Sequence, residues 1–204
     1  MKEKYIEDLK EIKDIMNRSS RFVALSGWSG ICAGLIAIVG SYFAITRIFT
    51  NQDYLSYQVI QLPNELILNL VFIAASTFLL ALICGLYFTH REAKKHDQAI
   101  WDSHAKRLLM NLAIPLLTGG LVCSILLLKG LIGLVAPLSL IFYGLSLINA
   151  SKYTLNEIRS LGLMEIILGI LALSFIDAAM LFWVLGFGIL HIVYGIYMQW
   201  TTKE

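Results

Sequence analysis

Six stretches of this chain are too long and too apolar to sit in water, and that limits the fold more than any other feature. They cover residues 22–48, 66–89, 107–128, 131–149, 157–176 and 179–199. A hydrocarbon layer ~30 Å thick is crossed by ~20 mostly apolar residues rising ~1.5 Å each, which is the length seen here. Lipid offers no partner to a bare backbone N–H or C=O, so each stretch is expected to be α-helical, and spans of this length are not barrel strands. The fold class predicted is all-α: a polytopic membrane protein with six transmembrane helices. Hydrophobic residues make up 58% of the chain and charged ones 15%, against roughly 45–50% and ~25% in soluble domains. The formal charge of +2 is too small to point to nucleic acid, and the lipid bilayer is the partner expected.

Orientation follows from the cations. Lys2, Lys4, Lys10, Lys13, Arg18 and Arg21 precede the first span, and Arg91, Lys94, Lys95, Lys106 and Arg107 lie between the second and third. Lys152 and Arg159 lie between the fourth and fifth, and Lys203 follows the sixth. The opposite side receives only Arg47 and Lys129, a division of fourteen to two. Positive residues stay on the cytoplasmic side, so both termini are expected there and the spans form three in-out-in hairpins. Tyr87, Tyr153, Tyr197 and Trp200 fall near the inner boundary and Tyr42 and Trp183 near the outer one, as an aromatic belt requires. The acceptor patterns at Asn17 and Asn149 lie on the cytoplasmic side and are expected to stay unmodified.

Three parts result: a cytoplasmic amphipathic helix over 1–21, a membrane domain over 22–199, and a cytoplasmic tail over 200–204. In the first, Tyr5, Leu9, Ile12 and Met16 recur at helical spacing among Lys and Glu. Such a face lies on the inner membrane surface or docks a cytoplasmic protein partner. The first apolar run is longer than a signal-peptide core and lacks a small-x-small cleavage site, so it is expected to remain in the mature protein. The second span is expected to continue as helix past His90, with Asp102 or Ser103 capping the third. Pro115 and Pro137 are expected to kink the third and fourth spans, releasing the carbonyls of Asn111 and Gly133.

The spans also resemble one another. Odd-numbered spans carry a small residue, six others, then Gly with Leu or Ile: Gly27 with Gly34-Leu35, Ala113 with Gly120-Leu121, Gly162 with Gly169-Ile170. Even-numbered spans carry Cys84-Gly85-Leu86-Tyr87, Tyr143-Gly144-Leu145-Ser146 and Tyr194-Gly195-Ile196-Tyr197. A threefold hairpin repeat is expected, its small residues at packed faces, because helices in lipid associate through close backbone approach. Helix packing is therefore assigned to Ser26, Gly30 and Gly34 in the first span and to Gly188 and Gly195 in the sixth. The run Gly188 to Ile196, with Gly162 to Leu173, resembles the hairpin repeat of the HdeD-like proteins, small six-helix bacterial inner-membrane proteins. That resemblance implies architecture and a bacterial inner-membrane location, and no functional residue is carried over from it.

Two polar residues stand inside spans. Glu165 and His191 each lie thirteen residues from a turn centred at 178, hence ~20 Å down their own helices at equal depth. A lone charge at mid-membrane costs ~3 kcal/mol, so the two are expected to face one another and share a proton, either as a proton-linked site or as a static bond that fixes helix register. Tyr194, one turn from His191, and Tyr143, its repeat counterpart, are the companions proposed. His90, His96 and His104 with Glu92, Asp97 and Asp102 read as a solvated charged connection rather than a metal site. Cys32, Cys84 and Cys123 read as core residues, and no catalytic triad, phosphate loop or cofactor motif occurs. The expectation is a non-enzymatic inner-membrane protein with no metal or cofactor, acting in envelope or stress physiology through a cytoplasmic partner. The alternative is a small proton-linked transporter or channel using Glu165 and His191, formed as a homo-oligomer.

Overall fold

The computed structural model describes residues 26–49, 54–95, 103–155 and 157–201. The amphipathic 1–21 segment, most of the charged connection around His96 to Asp102, and residues 202–204 of the tail lie outside them. Among the described residues the fold is helical with no strand. We number the helices α1 (Gly27–Arg47), α2 (Asn64–Lys95), α3 (Ser103–Leu128), α4 (Val135–Ala150) and α5 (Glu157–Ser174). A last rod follows, made of α6 (Ala179–Trp183), a π-helical turn (Val184–Leu190) and α7 (His191–Thr201).

Five stretches are long and apolar enough to cross a membrane: Gly27–Arg47, Asn64–Lys95, Ala105–Leu128, Ile132–Tyr153 and Ile176–Trp200. This is the pattern of a multi-pass membrane protein. The remaining helix, α5, is 18 residues long and includes Glu157, Arg159 and Glu165. Side chains such as Phe72, Leu117, Leu121 and Leu128 point outward, as expected where lipid rather than water surrounds a bundle.

Packing runs in series. The last rod and α2 both lie against α1, α4 lies between α3 and α5, and α5 also meets the last rod. Several close approaches are backbone on backbone at glycine. A methyl group on Gly195 would come 2.5 Å from the Gly27 carbonyl oxygen, and one on Gly34 the same distance from the Gly188 carbonyl oxygen. A methyl on Gly30 would reach the His191 carbonyl oxygen at 3.1 Å. Between α4 and α5, methyls on Gly144 and Gly162 would meet each other's carbonyl oxygens at 2.5 and 2.7 Å. Ser26 is buried at the start of α1 but makes no side-chain cap, and Gly27, one residue on, makes the tight contact.

The prolines behave differently from one another. Pro115 lies inside α3, and the Asn111 carbonyl that it cannot bond accepts Asn149 Nδ2 from α4 at 2.9 Å. Pro137, expected to kink the fourth span, instead stands in the first turn of α4, behind a 3₁₀ turn at Ile132–Leu134. Near a helix start, where amide hydrogens lack helical partners anyway, a missing N–H costs little. Gly130 takes φ +79° in the turn after α3, and its carbonyl accepts the Ile60 amide at 2.9 Å. The loop before α2 thus packs back on this turn. Buried Leu55 and Leu62 and a bond from the Tyr57 hydroxyl to the Leu173 carbonyl hold it there.

A buried Glu-His-Tyr centre as candidate functional site

The candidate site is assembled by three elements. Glu165 stands midway along α5, Tyr143 midway along α4, and His191 where the π-helical turn gives way to α7. The glycine contacts set the distance: Gly144 against Gly162 brings α4 and α5 together, and Gly30 and Gly195 seat the last rod on α1. Leu140 of α4 closes the centre and, like Glu165, is 0% exposed, while His191 is 6% exposed.

Tyr143 Oη lies 2.8 Å from His191 Nε2, and His191 Nδ1 lies 3.0 Å from the Gly186 carbonyl oxygen. A carbonyl oxygen only accepts, so Nδ1 carries the hydrogen. With a neutral ring, Nε2 then accepts from the Tyr143 hydroxyl. This network satisfies the imidazole without a charge. Glu165 Oε1 lies 3.4 Å from the same Nδ1, within ion-pair reach, yet neither carboxyl oxygen has a hydrogen-bond partner. The geometry decides between these descriptions: the Nδ1 hydrogen points to Gly186, and the carboxyl is a close but unbonded neighbour. A buried polar group without a partner is rare in native proteins and marks a place where a proton, water or ion completes the structure, or where strain is stored.

Gly186 makes this arrangement possible. A methyl there would lie 2.5 Å from Glu165 Oε2 and 2.6 Å from Leu140 Cδ2, so the carboxyl occupies the space that any other residue would fill. The aromatic surroundings are continuous. Phe187 lies 4.9 Å from Tyr143 and 4.8 Å from Trp183, ring centre to ring centre. Trp183 Nε1 donates to Ser139 Oγ at 3.1 Å.

Of the residues singled out from sequence, the structure brings Glu165, His191 and Tyr143 together and leaves Tyr194 elsewhere. Tyr194 lines a separate cleft of about 480 Å³ with Glu157, Ser160, Val193 and Tyr197. Sequence reasoning missed Gly186, the π-helical turn and the Trp183-Ser139 bond. The one available signal was the pair of glycines flanking Phe187. Among the described residues no cluster of three His, Cys, Asp or Glu side chains could hold a metal ion. In the charged connection, the described Glu92 pairs with Lys95 at 3.0 Å.

Fold and site together define a class, a multi-pass helical membrane protein with a polar centre buried among its described residues. No family model matches the chain, and neither the curated proteins nor the solved structures yield a match.

Proposed function

We propose that the chain is a non-enzymatic, six-span protein of the bacterial inner membrane whose Glu165-His191-Tyr143 centre responds to protonation. In this reading α5 is the sixth spanning helix, three hairpins place both ends in the cytoplasm, and a cytoplasmic protein reads the state of the bundle in envelope or stress physiology. The cation distribution supports the orientation, and the resemblance to the HdeD-like proteins supports the location. The observation that carries the functional part is the Glu165 carboxyl, 0% exposed and unbonded beside an imidazole that already has both its partners.

Charge counting shows why such a centre senses protons. The group made of carboxyl and imidazole is neutral when it holds one titratable proton, on the carboxyl beside a neutral ring. Losing that proton or gaining another leaves a net charge in a medium where uncompensated charge is costly. A transporter would need a hydrated route to the same atoms, and the close fit of Leu140 and Gly186 around the carboxyl favours a closed centre. The test is to express Glu165→Gln, His191→Leu and the double variant in a strain lacking the gene and to follow survival across external pH. The expected result is a shifted pH response in folded, membrane-inserted variants. Wild-type behaviour in all three would end the proposal.

A further inference from the structure

The His191 Nδ1 hydrogen has two acceptors within reach, and they lie on different elements. The Gly186 carbonyl oxygen is 3.0 Å away, within the π-helical turn of the last rod; Glu165 Oε1 is 3.4 Å away, on α5. A neutral carboxyl competes weakly for an N–H, whereas a carboxylate forms a charge-assisted bond roughly twice as strong as a neutral one. The difference in distance is small enough for the charge on Glu165 to decide where the hydrogen points.

We propose that the bond from His191 to Gly186 is a proton-gated latch on the π-helical turn Val184–Leu190. While Glu165 keeps its proton, Nδ1–H stays on Gly186 and ties the wide turn to its own helix. When that proton passes to water during a transient opening of the bundle, the Nδ1 hydrogen turns to Glu165 Oε1, the Gly186 carbonyl loses its side-chain partner, and the turn relaxes. The inference rests on the proton-responsive reading of the centre and adds the element that moves.

The groups facing this hydrogen are few. Glu165 comes from α5, Tyr143 from α4 and the Gly186 carbonyl from the turn. From α1, Gly30 lies beside the His191 carbonyl and Ala44 belongs to the same apolar cluster as Leu140, against which Phe187 packs. Tyr143 bonds the opposite ring nitrogen and so anchors the imidazole while Nδ1 changes partner. Wide turns of this kind occur mostly as single turns inside α-helices and often at functional sites.

The test uses the full chain in lipid nanodiscs. Amide hydrogen exchange over Gly186–His191 is measured in wild type and Glu165→Gln at matched pH, from mildly acidic to alkaline, alongside the nitrogen resonances of ¹⁵N-labelled His191. The chain has 4 histidines, and His191→Gln assigns the signal. The expected result is wild-type exchange that becomes roughly three- to tenfold faster than Glu165→Gln as pH rises, the equivalent of one lost hydrogen bond, with Nδ1 shifting in step. If Nδ1 shifts but exchange in the turn is the same in both proteins, the latch is wrong and the proton-responsive centre survives. If neither changes with pH, both fall. Should Glu165→Gln not insert, a wild-type Nδ1 signal indifferent to pH would itself overturn the proposal.

Discussion

Replacing Gly144 by Ala should loosen the bundle, whereas the same change at Gly85 should not, although the two stand at equivalent places in similar phrases. The new methyl on Gly144 would lie 2.5 Å from the Gly162 carbonyl oxygen and 2.7 Å from Ile166 Cγ1. Ordinary contact lies near 3.5 Å, so α4 and α5 must separate locally by about 1 Å. Helices in lipid are held mainly by such contacts, with little help from apolar burial, so the separation removes much of what joins them. Overpacking of this kind costs about 1–3 kcal/mol. A methyl on Gly85 meets nothing within 4 Å, and Ala is the better helix former by up to about 1 kcal/mol. Both variants gain this helix preference, so they should differ by the overpacking cost of about 1–3 kcal/mol in reversible unfolding in mixed micelles, with Gly85→Ala at or above wild type. Gly120→Ala, also facing open space, should behave like Gly85→Ala. Equal stabilities for Gly144→Ala and Gly85→Ala, within about 0.5 kcal/mol, would refute the packing argument.

The polar contacts give further predictions. Gly186→Ala should drive its methyl into Glu165 Oε2 and destabilise by about 1–3 kcal/mol; Glu165→Ala in the same chain should recover part of the loss, a coupling that unfolding of the double mutant measures. Tyr143→Phe removes the partner of His191 Nε2 and should cost about 1 kcal/mol, with the His191 ¹⁵N signal moving even where the fold is intact. Asn149→Ala should expose the price of Pro115, because the Asn111 carbonyl loses the donor that it now has; a loss of about 1–2 kcal/mol is expected, and none in a Pro115→Ala background. Membrane orientation is checked by single cysteines at Lys129 and Lys152 on a background without Cys32, Cys84 and Cys123. A membrane-impermeant reagent applied to whole cells should label the first and not the second.

Helix positions were legible because one physical demand, backbone satisfaction in lipid, fixes them. The expected 157–176 and 179–199 stretches correspond to α5 at Glu157–Ser174 and to a last rod ending at Thr201. The continuation of the second span past His90 appears as α2 reaching Lys95. The prolines were legible only in part. A sequence shows which carbonyl a proline leaves free but not whether the proline falls in a helix interior, as Pro115 does, or in a first turn, as Pro137 does. The centre divides in the same way. Counting thirteen residues from a turn at 178 puts Glu165 and His191 at one depth, although α5 ends at Ser174, the next helical turn starts at Ile176, and the path to His191 passes through 3₁₀ and π-helical turns. The choice between Tyr143 and Tyr194 depends on rotation about the helix axis, and the π-helical turn changes that rotation just before His191. Gly186 was missed because its role is to be small beside a carboxyl from another helix, a relation that no spacing rule reports.

The position of the centre within the packing favours the proposed latch, in which the turn is the part that responds. Glu165, Leu140, His191 and Gly30 form one layer, and glycine contacts clamp the rods on both sides of it. Gly27 with Gly195 and Gly144 with Gly162 lie on the side expected to face inward; Gly34 with Gly188 and Gly169 with Pro137 lie on the other. At these distances neither seam can shift without backbone collisions, because packed interfaces resist small continuous displacement. A change of charge in the layer between them cannot be relieved by sliding α5 along α4 or the last rod along α1. It can be relieved by a turn whose hydrogen bonding is already looser than an α-helix and whose carbonyl at Gly186 is held by a side chain. If so, tightening that turn should remove the pH response while leaving both seams in place. Deleting Leu185, which removes the extra residue of the π-helical turn, should give a folded bundle whose exchange over Gly186–His191 no longer depends on the proton at Glu165. A deletion variant that keeps the wild-type pH profile would show that the response resides elsewhere.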